Sequence, residues 1–117
     1  MRLLLVDDEG ELVSTLAERL SFRGIDADWA VSGEEALKMA ETEQYDIAVL
    51  DVKMPKISGI QLKGMLEEKY PDMKFIFMTG HGSKNDYIAG SAKDYYLVKP
   101  IAIDALVSKA EEIFKNK

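Results

Sequence analysis

The chain has 117 residues, 47% of them apolar and 31% charged, with a formal net charge of −6 and no cysteine. That length predicts one domain over residues 1–117, and the balance is that of a folded chain rather than a disordered one. The lack of cysteine excludes disulfides and thiolate metal sites and fits a reducing cytoplasm. An acidic chain without a Lys/Arg cluster argues against direct nucleic-acid binding, which needs a basic face. The first apolar run, Leu3 to Val6, is too short for a bilayer span or a secretory core, so a cytoplasmic protein with no membrane contact is expected.

In chain order, Leu3-Leu4-Leu5-Val6 reads as a buried strand stopped by Asp7-Asp8. Leu12, Val13, Leu16 and Leu20 fall near the 3.6-residue period and predict a helix closed by Arg23-Gly24. Ile25, Ala27 and Trp29 alternate with Asp26 and Asp28, the pattern of a half-exposed strand at a sheet edge, with Trp29 packing there. Ser32-Gly33-Glu34-Glu35 supplies a cap and an acidic first turn for a second helix. Ile47 to Leu50 forms a third apolar run that ends at Asp51.

Pro55 and Gly59 place a loop next, and a helix from Ile60 to Tyr70 is stopped by Pro71. Phe75 to Met78 is a fourth buried strand, closed by Thr79-Gly80-His81-Gly82. A short helix over about 85–91 follows, interrupted by Gly90. Tyr95 to Val98 is the fifth strand, with Tyr95 and Tyr96 on opposite faces. Lys99-Pro100 then leads into a helix from about Ala102 to Lys115.

Near-continuous apolar strands alternating with helices predict an α/β fold: a five-stranded parallel sheet with helices on both faces. The flavodoxin-like order 2-1-3-4-5, a (βα)5 arrangement, centres the most apolar strands and leaves the Asp-bearing second strand at an edge. In such a sheet the ligand crevice lies beyond the carboxyl ends of the strands, where strand order reverses. Here those ends carry Asp7-Asp8, Asp51, Thr79 and Lys99. Each alone would pass as punctuation of a strand or as a helix cap. Together they predict three converging carboxylates flanked by a hydroxyl and an ammonium.

Three crowded carboxylates repel one another and call for a cation. An all-oxygen donor set suits a hard ion, and Mg²⁺ is the natural candidate because it keeps several waters beside one or two carboxylates and a phosphate. An aspartate is also a competent nucleophile in phosphoryl transfer, giving an acyl phosphate. Mg²⁺, Lys99 and the Thr79 hydroxyl would stabilise the transferred group.

With these residues in place, the chain resembles the response-regulator receiver family over essentially its whole length. The matching pieces are Asp7-Asp8, Asp51 with Met54-Pro55 and Gly59, Thr79-Gly80, and Tyr96 through Lys99-Pro100. The resemblance implies a phosphorelay switch that receives a phosphoryl group on Asp51 from a sensor histidine kinase or phosphotransfer protein. It implies Mg²⁺ bound by Asp8 directly, by Asp7 mainly through water, by Asp51 and by the backbone carbonyl of Lys53. Lys99 would pair with Asp51 and then with the phosphoryl oxygens, ahead of a cis Lys99-Pro100 bond. Thr79 and Tyr96 would form the coupled switch that alters the face of the fourth helix, fifth strand and last helix. That face would be read by an effector domain or downstream protein, or would form a phosphorylation-dependent homodimer.

Some positions depart from the family's common pattern. The stretch between Thr79 and Lys99 is slightly short, Ile101 stands where an aromatic often follows the proline, and Lys53 occupies a variable position near the phosphoryl site. His81, the sole histidine, would tune water access rather than bind metal. Three other readings compete with this one. A haloacid-dehalogenase phosphatase needs a carboxylate two positions after its nucleophile, where this chain has Lys53. A flavodoxin-like cofactor binder would not place Asp7-Asp8-Glu9 against a phosphate. An interaction module that has lost phosphotransfer is disfavoured by the intact polar set. The chain would be a signalling phosphoacceptor with self-catalysed phosphorylation and dephosphorylation, not an enzyme acting on a separate substrate.

Overall fold

Leu3, Leu4, Leu5 and Val6 are all fully buried, so the first strand is covered on both faces and must lie inside the sheet. The computed structural model describes residues 1–80 and 95–115. Its elements are β1 (Arg2–Val6), α1 (Gly10–Ser21), β2 (Asp26–Ala30), α2 (Gly33–Thr42), β3 (Ile47–Asp51), α3 (Gly59–Lys69), β4 (Lys74–Thr79), β5 (Tyr95–Val98) and α4 (Ile103–Lys115). The helix expected over about 85–91, and His81, lie outside the described residues.

The five strands form one parallel sheet in the order β2-β1-β3-β4-β5, as the sequence predicts. Two apolar layers cover it. Leu3, Leu5, Val49, Ile76 and Met78 face α1 and α4, which contribute Val13, Leu16, Leu20, Leu106 and Ile113. Leu4, Val6, Leu50 and Phe77 face α2 and α3, which contribute Ala36, Ala40, Leu62 and Leu66. The period-2 alternation of side chains assigns neighbouring residues of one strand to different layers. Each fully buried Leu or Ile stabilises the fold by roughly 1.5–3 kcal/mol. Tyr95 and Tyr96 divide in the same way, Tyr95 against the first layer and Tyr96 against the second.

The helix ends follow local chemistry. Gly24 takes φ 76 just after α1, a left-handed conformation that only glycine adopts at little cost, and the Ile25 N–H closes back on the Leu20 carbonyl at 3.0 Å. Ser32 caps α2 by accepting from the Glu35 N–H at 3.1 Å. Ser58 and Gln61 form a reciprocal capping box at the start of α3. α3 ends at Lys69 because Tyr70 precedes Pro71 and is steered out of the helical region. At the sheet edge, Trp29 of β2 is 42% exposed, so the packing expected for it is incomplete.

Candidate functional site

Parallel strands all point their carboxyl ends the same way, so residues that terminate β1, β3, β4 and β5 meet at one rim. Asp7 follows β1, Asp51 is the last residue of β3, Thr79 is the last of β4, and Lys99 follows β5. The backbone fastens these ends together: the Asp7 N–H donates to the Ala30 carbonyl at 3.2 Å, Val52 N–H to Met78 at 3.0 Å, and Lys99 N–H to Thr79 at 2.8 Å. Sheet pairing, not loop conformation, therefore sets the spacing of the site.

One carboxylate oxygen from each of Asp7, Asp8 and Asp51 lies within 4.8 Å of the other two. Asp7 and Asp51 are buried, whereas Asp8 faces solvent. The Lys99 ammonium lies 2.7 Å from Asp7 Oδ2 and 3.5 Å from Asp51 Oδ2, and it donates a hydrogen bond to Glu9 Oε1 at 3.1 Å. The Lys99-Pro100 peptide is cis, as the resemblance implies. Thr79 is buried, and its Oγ1 has no hydrogen-bond partner among the described residues.

Burial raises the Asp51 carboxyl to about 6, helped by the Asp7 charge and opposed by Lys99. For Lys99, burial works against the ammonium, yet hydrogen bonds to Asp7 and Glu9 and the charges of Asp51 and Asp7 outweigh it and hold its pKa above the ordinary lysine value. Among the described residues one ammonium thus balances only part of the charge of three aspartates. The oxygen donors there carry a residual negative charge with no His or Cys among the described residues, a set chemically suited to a hard divalent cation such as Mg²⁺.

Tyr96 sits half-buried on β5 with its ring stacked on Phe77 of β4, centroids 5.4 Å apart. Lys53 is exposed on the loop after β3. The structure thus brings Asp7, Asp8, Asp51 and Lys99 together, with Thr79 on the adjoining strand end. Tyr96 lies two register positions deeper than Thr79, paired with Phe77. The ligand role of the Lys53 carbonyl rests on the resemblance alone. A recess of about 290 Å³ opens beside Asp8, between Ser32, Met54 and Lys56. A larger hollow of about 540 Å³, between Tyr45, Tyr70 and Met73, lies at the opposite end of the strands, away from the carboxylates.

Two residues at the site gain from the structure a role that the sequence alone does not assign. Glu9 is the second hydrogen-bonded anchor of Lys99, although the sequence shows it only as a third acidic residue. Gly59 allows the start of α3 to lie directly on the Asp51 backbone, where any side chain would collide with it. The signal for Glu9 was its place at the start of a helix, where glutamate is a poor cap.

A family model for the response regulator receiver domain matches residues 3–111. Response regulator MprA of Mycobacterium avium (strain 104) is 32% identical over 118 aligned positions, taking in 99% of this chain and 52% of the relative. MprA of Mycobacterium leprae (strain TN) is also 32% identical, with the same coverage. The chain spans about half the length of these curated relatives. Among solved structures, the Francisella response regulator 1452 receiver domain is 31% identical with a TM-score of 0.85, covering 98% of this chain and 97% of its own. TrrA of Thermotoga maritima, in complex with Mg(2+)-BeF, is 37% identical with a TM-score of 0.83, covering 96% of this chain and 97% of its own.

Proposed function

Since this chain belongs to the response regulator receiver family of two-component systems, we propose that it is a phosphorelay switch in which Asp51 accepts the phosphoryl group. The observation that carries the reading is the meeting of Asp7, Asp8, Asp51 and Lys99 at one rim of the sheet, with the buried Thr79 hydroxyl beside them. The donor is a phosphohistidine of a sensor histidine kinase or of a phosphotransfer protein. An Asp51 oxygen attacks phosphorus, the P–N bond to the imidazole breaks, and an acyl phosphate forms on the aspartate.

Each group of the chain has a part in that step. Asp51 is the nucleophile and must be ionised to attack. Asp7, Asp8 and Asp51, with the Lys53 carbonyl that the resemblance adds, would hold the metal. When bound, Mg²⁺ supplies positive charge against the phosphoryl oxygens. Lys99 carries the second positive charge, within reach of Asp51 in this structure. Thr79, whose hydroxyl has no partner among the described residues, donates it to a phosphoryl oxygen once one is present.

The output follows from packing. Movement of Thr79 toward the phosphoryl group opens space on the second layer of the sheet, and Tyr96 turns inward to fill it. Its departure from the surface changes the face built by β5 and α4, which a partner of the chain reads. A local gain of charge thereby biases a two-state element. An effector domain or a separate downstream protein is the reader.

Intact-mass spectrometry after incubation with acetyl phosphate tests the reading. The expected result is one Mg²⁺-dependent phosphoryl group on the native protein and none on Asp51→Asn. Equal labelling of Asp51→Asn would remove Asp51 as the acceptor.

A further inference from the structure

Glu9 occupies the N-cap position of α1, with extended backbone angles (φ −85, ψ 91), and its carbonyl accepts from the Leu12 and Val13 N–H groups. Short polar side chains are favoured there because they bend back onto the first helical N–H groups. Glutamate is poorly shaped for this, and the Glu9 side chain makes no capping bond. It reaches across the site and accepts from Lys99 at 3.1 Å, while its own N–H donates to Asp7 Oδ1 at 2.9 Å.

The consequence lies in how Lys99 is oriented. Its two short contacts, to Asp7 and Glu9, both lie on the β1–α1 side, and its distance to Asp51 is the longest of the three. An ammonium has three N–H donors, and a phosphoryl group on Asp51 offers new anionic acceptors that compete for them. We propose that Glu9 is a positioning residue that holds Lys99 toward the β1–α1 loop in the resting state, so that it opposes the phosphorylated state. Lys99 exchanges Glu9 for the phosphoryl oxygens when the group arrives. The role rests on the reading of Asp51 as acceptor, and it sets how readily that acceptor is occupied.

Glu9→Gln and Glu9→Asp separate this role from simple charge. Gln removes the charge and the ion pair together. Asp keeps the charge but is a good cap, so its carboxylate is drawn to the α1 N–H groups and away from Lys99. Binding of beryllofluoride with Mg²⁺, a phosphoryl mimic, is measured by calorimetry on the intact chain. Both variants are expected to bind it about two- to fivefold more tightly, the range for an exposed ion pair. Glu9→Asp is also expected to melt about 2–6 °C higher through the new cap.

NMR of the Lys99 side-chain ammonium in the metal-free protein reads the contact without any phosphoryl chemistry. Its resonance is expected to shift, or to exchange faster with water, in both variants. An unchanged Lys99 resonance overturns the proposal. So does tighter beryllofluoride binding by Glu9→Gln with native affinity in Glu9→Asp, because charge alone would then suffice. Failure of the native protein to bind beryllofluoride overturns the acceptor reading instead, and the NMR result still decides where Lys99 is held.

Discussion

Gly59 lies so close to Asp51 that a side-chain carbon at position 59 would overlap the Asp51 carbonyl, with the Asp51 carbonyl carbon at 2.9 Å and Val52 Cα at 3.0 Å. The Gly59 N–H donates to the Val52 carbonyl at 2.9 Å, which pins the start of α3 to the end of the acceptor strand. The obstacle is backbone on both sides, so no rotamer change can relieve it. Gly59→Ala is therefore expected to destabilise the fold by about 1–3 kcal/mol through overpacking and to slow phosphoryl uptake by displacing Asp51. Chemical denaturation and the rate of labelling by acetyl phosphate check the two effects. Native stability in Gly59→Ala would mean that the loop yields freely and that the glycine does not position Asp51.

Lys56 presents the opposite situation, a side chain where glycine would fit better. It takes φ 68, among the described residues the one non-glycine with a left-handed backbone, a conformation that costs an L-residue roughly 1–2 kcal/mol. Its contact with Glu34, at 3.9 Å between exposed groups, offsets little of that. Lys56→Gly is expected to be about as stable as the native protein or up to ~1 kcal/mol more stable, the relief of strain being partly cancelled by glycine's entropy in the unfolded chain. Lys56→Val, which adds a β-branch at the same angle, should lose more than 1 kcal/mol. Equal melting of the Gly and Val variants would show that the strained geometry is not maintained in solution.

The contrast between these residues and the acidic cluster shows what could be read from the sequence. Strand ends are legible because an apolar run of four residues can stop in only one place, and parallel topology carries every stop to the same rim. Hence Asp7, Asp51, Thr79 and Lys99 group together on the sequence pattern alone. The split of Tyr95 and Tyr96 between two layers follows from the pleat in the same way. Glu9 could not be matched to Lys99, because that contact spans 90 residues and depends on how a surface side chain turns. The network at the other end of the sheet is hidden for the same reason. There Tyr45 donates to Asp28 at 2.6 Å, and the Arg2 N–H donates to Asp46 at 2.8 Å. The left-handed turn at Lys56 left no trace, since lysine carries no turn signal.

Asp51 also links stability to pH. Its carboxyl is raised from 3.8 to about 6, chiefly by burial and next by the Asp7 charge. The native state therefore binds a proton more tightly than the unfolded chain between those values. Stability from this group is fully present below about 4 and declines as pH rises through about 6. The metal-free native protein is expected to lose stability across that window, while Asp51→Asn, which cannot ionise there, should show a flatter profile. Near pH 7.5 the Asn variant should be the more stable by an amount on the order of 1–3 kcal/mol. Mg²⁺ should raise the melting temperature of the native protein at pH 7.5 and do so much less at pH 5, where protons compete for the same oxygens. Parallel pH profiles for the two proteins would place the titration elsewhere.

Thr79 separates stability from signalling. Its side chain is buried, yet Oγ1 has no hydrogen-bond partner among the described residues. A buried hydroxyl without a partner costs the folded state about 1–3 kcal/mol, and replacing it with an apolar group of the same shape removes that cost. Thr79→Val is nearly isosteric and is expected to leave the metal-free protein as stable as the native one, or up to ~2 kcal/mol more stable. The same variant lacks the donor that meets the phosphoryl group, so its affinity for beryllofluoride with Mg²⁺ should fall about tenfold, the loss of one charge-assisted hydrogen bond. Thr79→Ser keeps the donor and should retain most of that affinity while losing a buried methyl. The decisive comparison is denaturant stability against beryllofluoride affinity for both variants. If Thr79→Val lost stability and kept its affinity, the hydroxyl would be a structural group with an unseen partner, and the switch would have to be sought in another residue.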